Sequence, residues 1–257
     1  MSTVLESIVE GVLADLELRK VSDAQLKEMI ASAPLVRNAF AALANPGTQI
    51  IAEVKRASPS KGPLASISDP ASLAVEYEKA GAAVISVLTE ERRFSGSIAD
   101  LKAVRAEVSI PVLRKDFIVT EYQVRETRGI GADLMLLIVA SLDDHQLRDY
   151  RTLAEELGMS VLVEVHDEIE VERAISSGAT IIGVNARNLK TLEINSVAFE
   201  RLLPLIPDTL IKVAESGIST REQVAAAESY GAKAILVGET LVRAGDPAHA
   251  ILTLLGR

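Results

Sequence analysis

Residues 78–84 read EKAGAAV: the end of a polar helix, a glycine, two small residues and the first apolar residue of a strand. The same event recurs as RGIGADL at 128–134, ISSGATI at 175–181 and SYGAKAI at 229–235. A glycine just past a helix takes the left-handed conformation that closes it. The apolar runs that follow are too short for a second helix and read as buried strands. Eight such runs emerge from this pattern: IIAEVK (50–55), AVISVL (83–88), PVLRK (111–115), DLMLLI (133–138), SVLVEV (160–165), IIGVN (181–185), LIKVAE (210–215) and AILVG (234–238). Amphipathic stretches such as DPASLAVEYEKAG (69–81) and TREQVAAAESYG (220–231) separate them. Strands alternating with helices pair in parallel through right-handed crossovers. Eight units in about two hundred residues predict an α/β chain folded as a closed (β/α)8 TIM barrel. An open doubly wound sheet usually carries a glycine fingerprint after its first strand, and KRASPSKG (55–62) is not GxGxxG.

The barrel and its extension are expected to form one domain over 1–257, of which 1–48 is a helical N-terminal extension. Val4, Leu5, Ile8, Val9, Val12, Leu13 and Leu16 make one helical stripe. Ser22 to Gln25 reads as a capping box for a second helix, and Pro34 ends the pattern. Two placements fit these helices. They can plug the lower end or flank of the barrel, or form a flap over its site.

Composition narrows the function. A net charge of −9 rules against general nucleic-acid binding, which needs a strong basic field. The longest apolar run, Leu134 to Ala140, is far too short to span a bilayer. The opening MSTVLESIVEG has no basic region followed by an apolar block, so no secretory signal is read. The chain has no cysteine, which excludes disulfides, thiol catalysis and thiolate metal sites and suits a reducing cytoplasm. His145, His166 and His249 stand apart without HxH or HExxH spacing, and they read as ordinary surface or loop residues. Neither a metal nor a cofactor is expected. A monomer or a weak homo-oligomer is expected.

Barrel interiors are layered, usually with Val, Ile or Leu. Here the C-terminal ends of strands one, three, five and seven carry Glu53 with Lys55, Lys115, Glu164 and Glu215. Buried charges must pair or meet a ligand. Five ionisable groups converging on the catalytic end of a barrel therefore point to an active site. Strand six ends in VNARNL, with Asn185 and Arg187 two apart. The planar guanidinium suits a carboxylate or phosphate, and the amide can fix an orientation. Gly217 and Gly238 follow strands seven and eight, where barrels recurrently bind phosphate. Phe94, Phe117, Leu136 and Leu189 can line an apolar slot for an aromatic ring.

Seven ordered motifs carry a resemblance: IAEVKRASPSKG (51–62), SVLTEERRFSGS (86–97), PVLRKDFIV (111–119), LVEVHDE (162–168), GVNARNL (183–189), AESGI (214–218) and LVGE (236–239). Together they resemble the indole-3-glycerol-phosphate synthase family of tryptophan biosynthesis. The resemblance implies a cofactor-free carboxy-lyase that acts on a phosphorylated aromatic amino-sugar. On the matching positions it implies that Lys115 is the general acid of ring closure and Glu164 its acid/base partner. It gives Lys55 and Glu53 to substrate contact and dehydration. Asn185, Arg187, Glu215 and Ser58 orient the substrate, with Ser58 and Ser60 in a mobile first loop. Ser216, Gly217, Gly238 and the backbone N–H of Glu239 form the phosphate cradle. Glu239 departs from the serine common in the family, and its side chain is expected to turn out to solvent. The extension carries no aromatic residue before Phe40. A Schiff-base aldolase or other phosphosugar-processing barrel and a non-catalytic phosphosugar-binding barrel are the alternatives. Glu53 on the face of Lys55 disfavours the first, and Lys115 with Glu164 disfavours the second.

Overall fold

The computed structural model describes residues 3–257. Eight parallel strands close into a barrel: β1 (Gln49–Val54), β2 (Val84–Leu88), β3 (Val112–Lys115), β4 (Leu134–Ile138), β5 (Ser160–Val165), β6 (Ile181–Asn185), β7 (Ile211–Glu215) and β8 (Ala234–Val237). Each strand pairs with its sequence neighbours, and β8 closes onto β1 in the register Ala52↔Val237. The expected (β/α)8 architecture is therefore the observed one. The closing glycines behave as the repeated motif requires, with φ of +98° at Gly81, +90° at Gly131, +86° at Gly178 and +100° at Gly231.

The strands read as continuous apolar runs because both of their faces are covered. Alternate residues point outward, where Ala52, Ile85, Met135, Val163 and Ile235 pack beneath the helices. The residues between them, including Ile51, Leu113, Leu134, Leu162 and Val213, fill the barrel. The helices preceding β1 are α1 (Val4–Arg19), α2 (Asp23–Ser32) and α3 (Ala39–Leu43). The rest are α4 (Pro70–Lys79), α5 (Ile98–Glu107), α6 (Glu121–Gly129), α7 (Asp144–Glu156), α8 (Glu168–Ser176), α9 (Ala198–Leu202), α10 (Arg221–Ser229), α11 (Glu239–Arg243) and α12 (Pro247–Leu255).

Both placements weighed for the N-terminal helices occur, divided among them. Helix α1 lies over the C-terminal mouth, where Leu5 and Ile8 face the cleft. Helix α2 begins with the expected Ser22–Gln25 capping box and packs on the flank against α6, with Met29 against Gly129. Helix α3 buries Ala39 and Leu43 in the inner cluster, next to the strand starts.

Polar contacts fix α1 in place. Arg19 donates to both oxygens of Glu126 at 3.1 and 3.2 Å. Glu126 also pairs at 3.0 Å with Arg114, a fully buried guanidinium that meets Asp116 at 3.0 Å. Arg114 and Asp116 flank Lys115, so this outward network anchors the strand end that presents Lys115 inward. In the β2–α5 loop, Arg92 grips Asp15 and Arg93 donates to Ser7, both on α1.

Candidate active site

The charged residues of β1, β3, β5 and β7 meet at the mouth of the barrel. Lys115 Nζ lies 3.1 Å from Glu164 Oε2 and 3.5 Å from Glu215 Oε2. Lys55 Nζ lies 3.1 Å from Glu53 Oε1, while Ser86 of β2 donates to the other Glu53 oxygen at 3.3 Å. Glu53, Glu164 and Glu215 are almost wholly enclosed, and both lysines reach partly into the cleft.

Space for these side chains comes from the neighbouring strands. Gly183 of β6 is level with Glu164 of β5, and a Cβ there would sit 1.9 Å from Glu215 Oε1. At Gly238 a Cβ would sit 2.6 Å from Glu53 Oε1. Sequence reasoning read Gly238 only as part of a phosphate cradle and passed over Gly183. A glycine inside a strand is the signal for such a close approach.

Electrostatics separates three of these groups. Burial pulls Lys115 down, but Glu164, Glu215 and Glu53 outweigh it and hold the ammonium well above the ordinary lysine range. Burial pushes Glu164 up, and Lys115, His166 and the Asn185 amide overcome this, leaving the carboxyl well below its usual range. Glu215 is pushed up to about 8, chiefly by burial, with Lys115 opposing and Glu164 and Glu53 adding. Neither Glu215 oxygen has a hydrogen-bond partner in the protein. The cluster therefore holds an ammonium and a fixed carboxylate, with the Glu215 carboxyl 3.5 Å from that ammonium and shifted towards its neutral form.

Phe94 and Phe117 stand beside the charges with ring centroids 6.2 Å apart, and Lys55 Nζ is 5.7 Å from the Phe94 centroid. Leu136, Leu189 and Ile138 complete the apolar wall together with Leu5 and Ile8 of α1. The cleft encloses about 790 Å³ counting its open mouth, and Ser58, Ser60, Asn185 and Arg187 line its polar side. Asn185 Oδ1 accepts the Arg187 N–H at 2.9 Å, and the Arg187 guanidinium donates to Leu192 O at 2.8 Å.

The cleft continues into a second hollow lined by Ser216, Gly217, Gly238 and Glu239, with Lys61 and Arg243 at its edge. Ser216 and Gly217 both take left-handed backbone, at φ +68° and +76°. For a serine this is an uncommon and strained state of the kind concentrated at binding sites. Glu239 does not turn free into solvent as expected. It stands between Arg243 at 3.3 Å and Lys61 at 3.9 Å.

All the expected site residues thus border one continuous hollow. Sequence reasoning missed Leu5, Ile8, Ile138, Lys61 and Arg243. The apolar stripe of α1 is the one signal that pointed to the first two. It also misjudged His166, which is not an ordinary loop residue. Its ring is largely enclosed and lies between Glu164 and Glu170. Among the described residues, no group of three or more His, Cys, Asp or Glu side chains is placed to hold a metal ion. No helix among them is long and apolar enough to cross a membrane.

The family profile described as indole-3-glycerol phosphate synthase matches residues 5–254. An indole-3-glycerol phosphate synthase of Streptomyces griseus subsp. griseus is 56% identical over 255 residues, covering 98% of this chain and 95% of its own. One from Mycolicibacterium smegmatis is 55% identical over 256 residues, covering 99% and 94%. Among solved structures, a 3-hexulose-6-phosphate synthase superposes with a TM-score of 0.62 over 81% of this chain and 99% of its own. At 17% identity it speaks for the barrel fold alone.

Proposed function

The chain belongs to the indole-3-glycerol phosphate synthase family, and from that premise we propose how its own residues divide the work. The reaction is a decarboxylating ring closure in tryptophan biosynthesis. In 1-(2-carboxyphenylamino)-1-deoxyribulose 5-phosphate, the ring carbon bearing the carboxylate attacks the ketone. Carbon dioxide leaves from that carbon, the former ketone oxygen leaves as water, and indole-3-glycerol phosphate remains.

In this reading Lys115 protonates the ketone oxygen as the carbon–carbon bond forms. Glu164 faces the anilino nitrogen and stabilises the positive charge that develops there. Lys55 meets the substrate carboxylate and then serves as acid for the departing hydroxyl, with Glu53 as the base of dehydration. Glu215, its carboxyl shifted towards the neutral form by burial, offers a hydrogen bond to the sugar hydroxyls, and Ser58, Asn185 and Arg187 orient the chain. Phe94, Phe117, Leu136 and Leu189 take the aromatic ring. The phosphate rests on the backbone of Ser216, Gly217, Gly238 and Glu239, within reach of Lys61 and Arg243. The reaction as divided here uses these side chains alone, acting on a small phosphorylated substrate in the cytoplasm. A monomer or weak homo-oligomer suffices for it.

One observation carries this reading: Lys115 lies within 3.5 Å of both Glu164 and Glu215 at the floor of a cleft that is apolar on one side and polar on the other. The same observation disfavours a Schiff-base aldolase. A nucleophilic lysine needs a depressed pKa, whereas the acidic groups around Lys115, Glu164 foremost, raise it. The test is to incubate the purified chain with the anthranilate-derived ribulose phosphate and follow indole fluorescence, which no Trp in the chain obscures. Turnover supports the assignment; a folded chain that leaves this substrate unchanged overturns it.

A further inference from the structure

The loop after β5 brings a second cation to Glu164. His166 lies two residues beyond Glu164, and its Nε2 is 3.4 Å from Glu164 Oε1. Its Nδ1 is 3.0 Å from Glu170 Oε2, in the first turn of α8, and the same oxygen accepts the His166 backbone N–H at 2.8 Å. Nε2 is buried and makes no hydrogen bond within the protein, so the carboxylate of Glu164 is what compensates it. With an acceptor carboxylate facing each ring nitrogen, both nitrogens carry hydrogen and the ring is an imidazolium. We propose that His166 is a positioning residue for ring closure, a fixed cation anchored by Glu170 that holds one Glu164 oxygen and so aims the other at Lys115. The proposal rests on the role given above to Glu164.

The two oxygens of Glu164 are divided between two cations, Oε1 to His166 and Oε2 to Lys115. When Lys115 gives its proton to the ketone, one of those cations is lost. His166 remains, and Glu164 then meets the anilino nitrogen as a carboxylate and does not take up a proton itself. The charged groups facing the imidazole are Glu164 from β5 and Glu170 from α8, with Lys115 of β3 on the far side of Glu164. Burial opposes the charged ring, but the two carboxylates carry its pKa up to about 10. His166 therefore acts as a constant charge through the neutral range and does not switch.

The experiment compares His166→Leu, His166→Asn, His166→Lys, Glu164→Gln and the double variant Glu164→Gln/His166→Leu in steady-state kinetics across pH. His166→Leu is expected to lower kcat about tenfold and to change KM by less than about threefold. The acid limb of its kcat–pH profile should move upward by about one pH unit, because Glu164 loses a stabilising cation. His166→Asn should behave likewise, and His166→Lys should recover most of the loss. The double variant should be no slower than Glu164→Gln alone, since residues acting as a unit are not additive. If His166→Leu matches the unaltered enzyme in kcat and pH profile while Glu164→Gln is slow, His166 is idle and the proposal fails with the Glu164 role intact. An additive double variant also overturns it, because His166 would then act apart from Glu164. A fully active Glu164→Gln removes the underlying reading itself. Should His166→Leu not fold, Glu170→Gln applies the same test: it removes the carboxylate charge that anchors the imidazolium at Nδ1, and the acid limb should move the same way by a smaller amount. An unmoved limb contradicts the proposal.

Discussion

Gly183 on β6 and Glu215 on β7 are fitted to one another: a methyl group on Gly183 would lie 1.9 Å from Glu215 Oε1. The carboxyl occupies space that a side chain on the neighbouring strand would otherwise fill. Gly183→Ala must therefore displace Glu215. Overpacking of this kind costs about 1–3 kcal/mol, which in a chain of this size lowers Tm by roughly 2–10 °C. The catalytic loss should be larger than that fold perturbation implies, with kcat/KM falling at least about tenfold. Thermal denaturation and steady-state kinetics on the same preparation check both parts. An alanine variant with unchanged kcat/KM would show that the position of Glu215 does not matter.

Glu215 also gives the fold a pH dependence of definite sign. Its ordinary value is 4.5, and in the folded chain it is pushed up to about 8. The folded state therefore holds a proton that the unfolded state releases. The stability this contributes is complete below about pH 4.5 and is lost as pH rises towards 8. Glu215→Gln keeps the shape of the protonated carboxyl and never ionises. Relative to the unaltered chain, its Tm should be more favourable at pH 9 than at pH 5. A Gln variant that loses more ground at pH 9 would mean that the ionised carboxylate is well paired.

The charges at the barrel mouth were legible in the sequence because Glu53, Lys115, Glu164 and Glu215 interrupt apolar runs at equivalent strand ends. The barrel was legible because the helix–glycine–strand event repeats with the same chemistry at Gly81, Gly131, Gly178 and Gly231. What escaped depends on contacts between distant segments. Leu5 and Ile8 are ordinary members of an apolar stripe until α1 is laid over the mouth. His166 is an unremarkable loop histidine until Glu170, in the first turn of the next helix, closes on its other nitrogen. Gly183 looks like a weak point in a strand until Glu215 is seen against it.

Glu239 holds the two cations that border the proposed phosphate cradle, Arg243 at 3.3 Å and Lys61 at 3.9 Å. A carboxylate there competes with phosphate for both. Glu239→Ser should lower the inhibition constant of inorganic phosphate and the KM for substrate by roughly fivefold, the equivalent of about 1 kcal/mol for a partly exposed ion pair. Competition assays at fixed ionic strength measure this. Weaker phosphate binding in the serine variant would mean that Glu239 positions the cations and does not occupy them.

On the proposed mechanism the Lys115 ammonium, held by Glu164 and Glu215, supplies the proton for ring closure. Lys115→Met keeps roughly the length of the side chain and removes the proton. Single-turnover kinetics with saturating Lys115→Met enzyme, checked for an intact fold by circular dichroism, measures the chemical step directly. That rate should fall by about 10²–10⁴, the usual worth of general acid catalysis, with substrate binding changed much less. Near-normal turnover in the methionine variant would contradict it and pass the role of acid to Lys55.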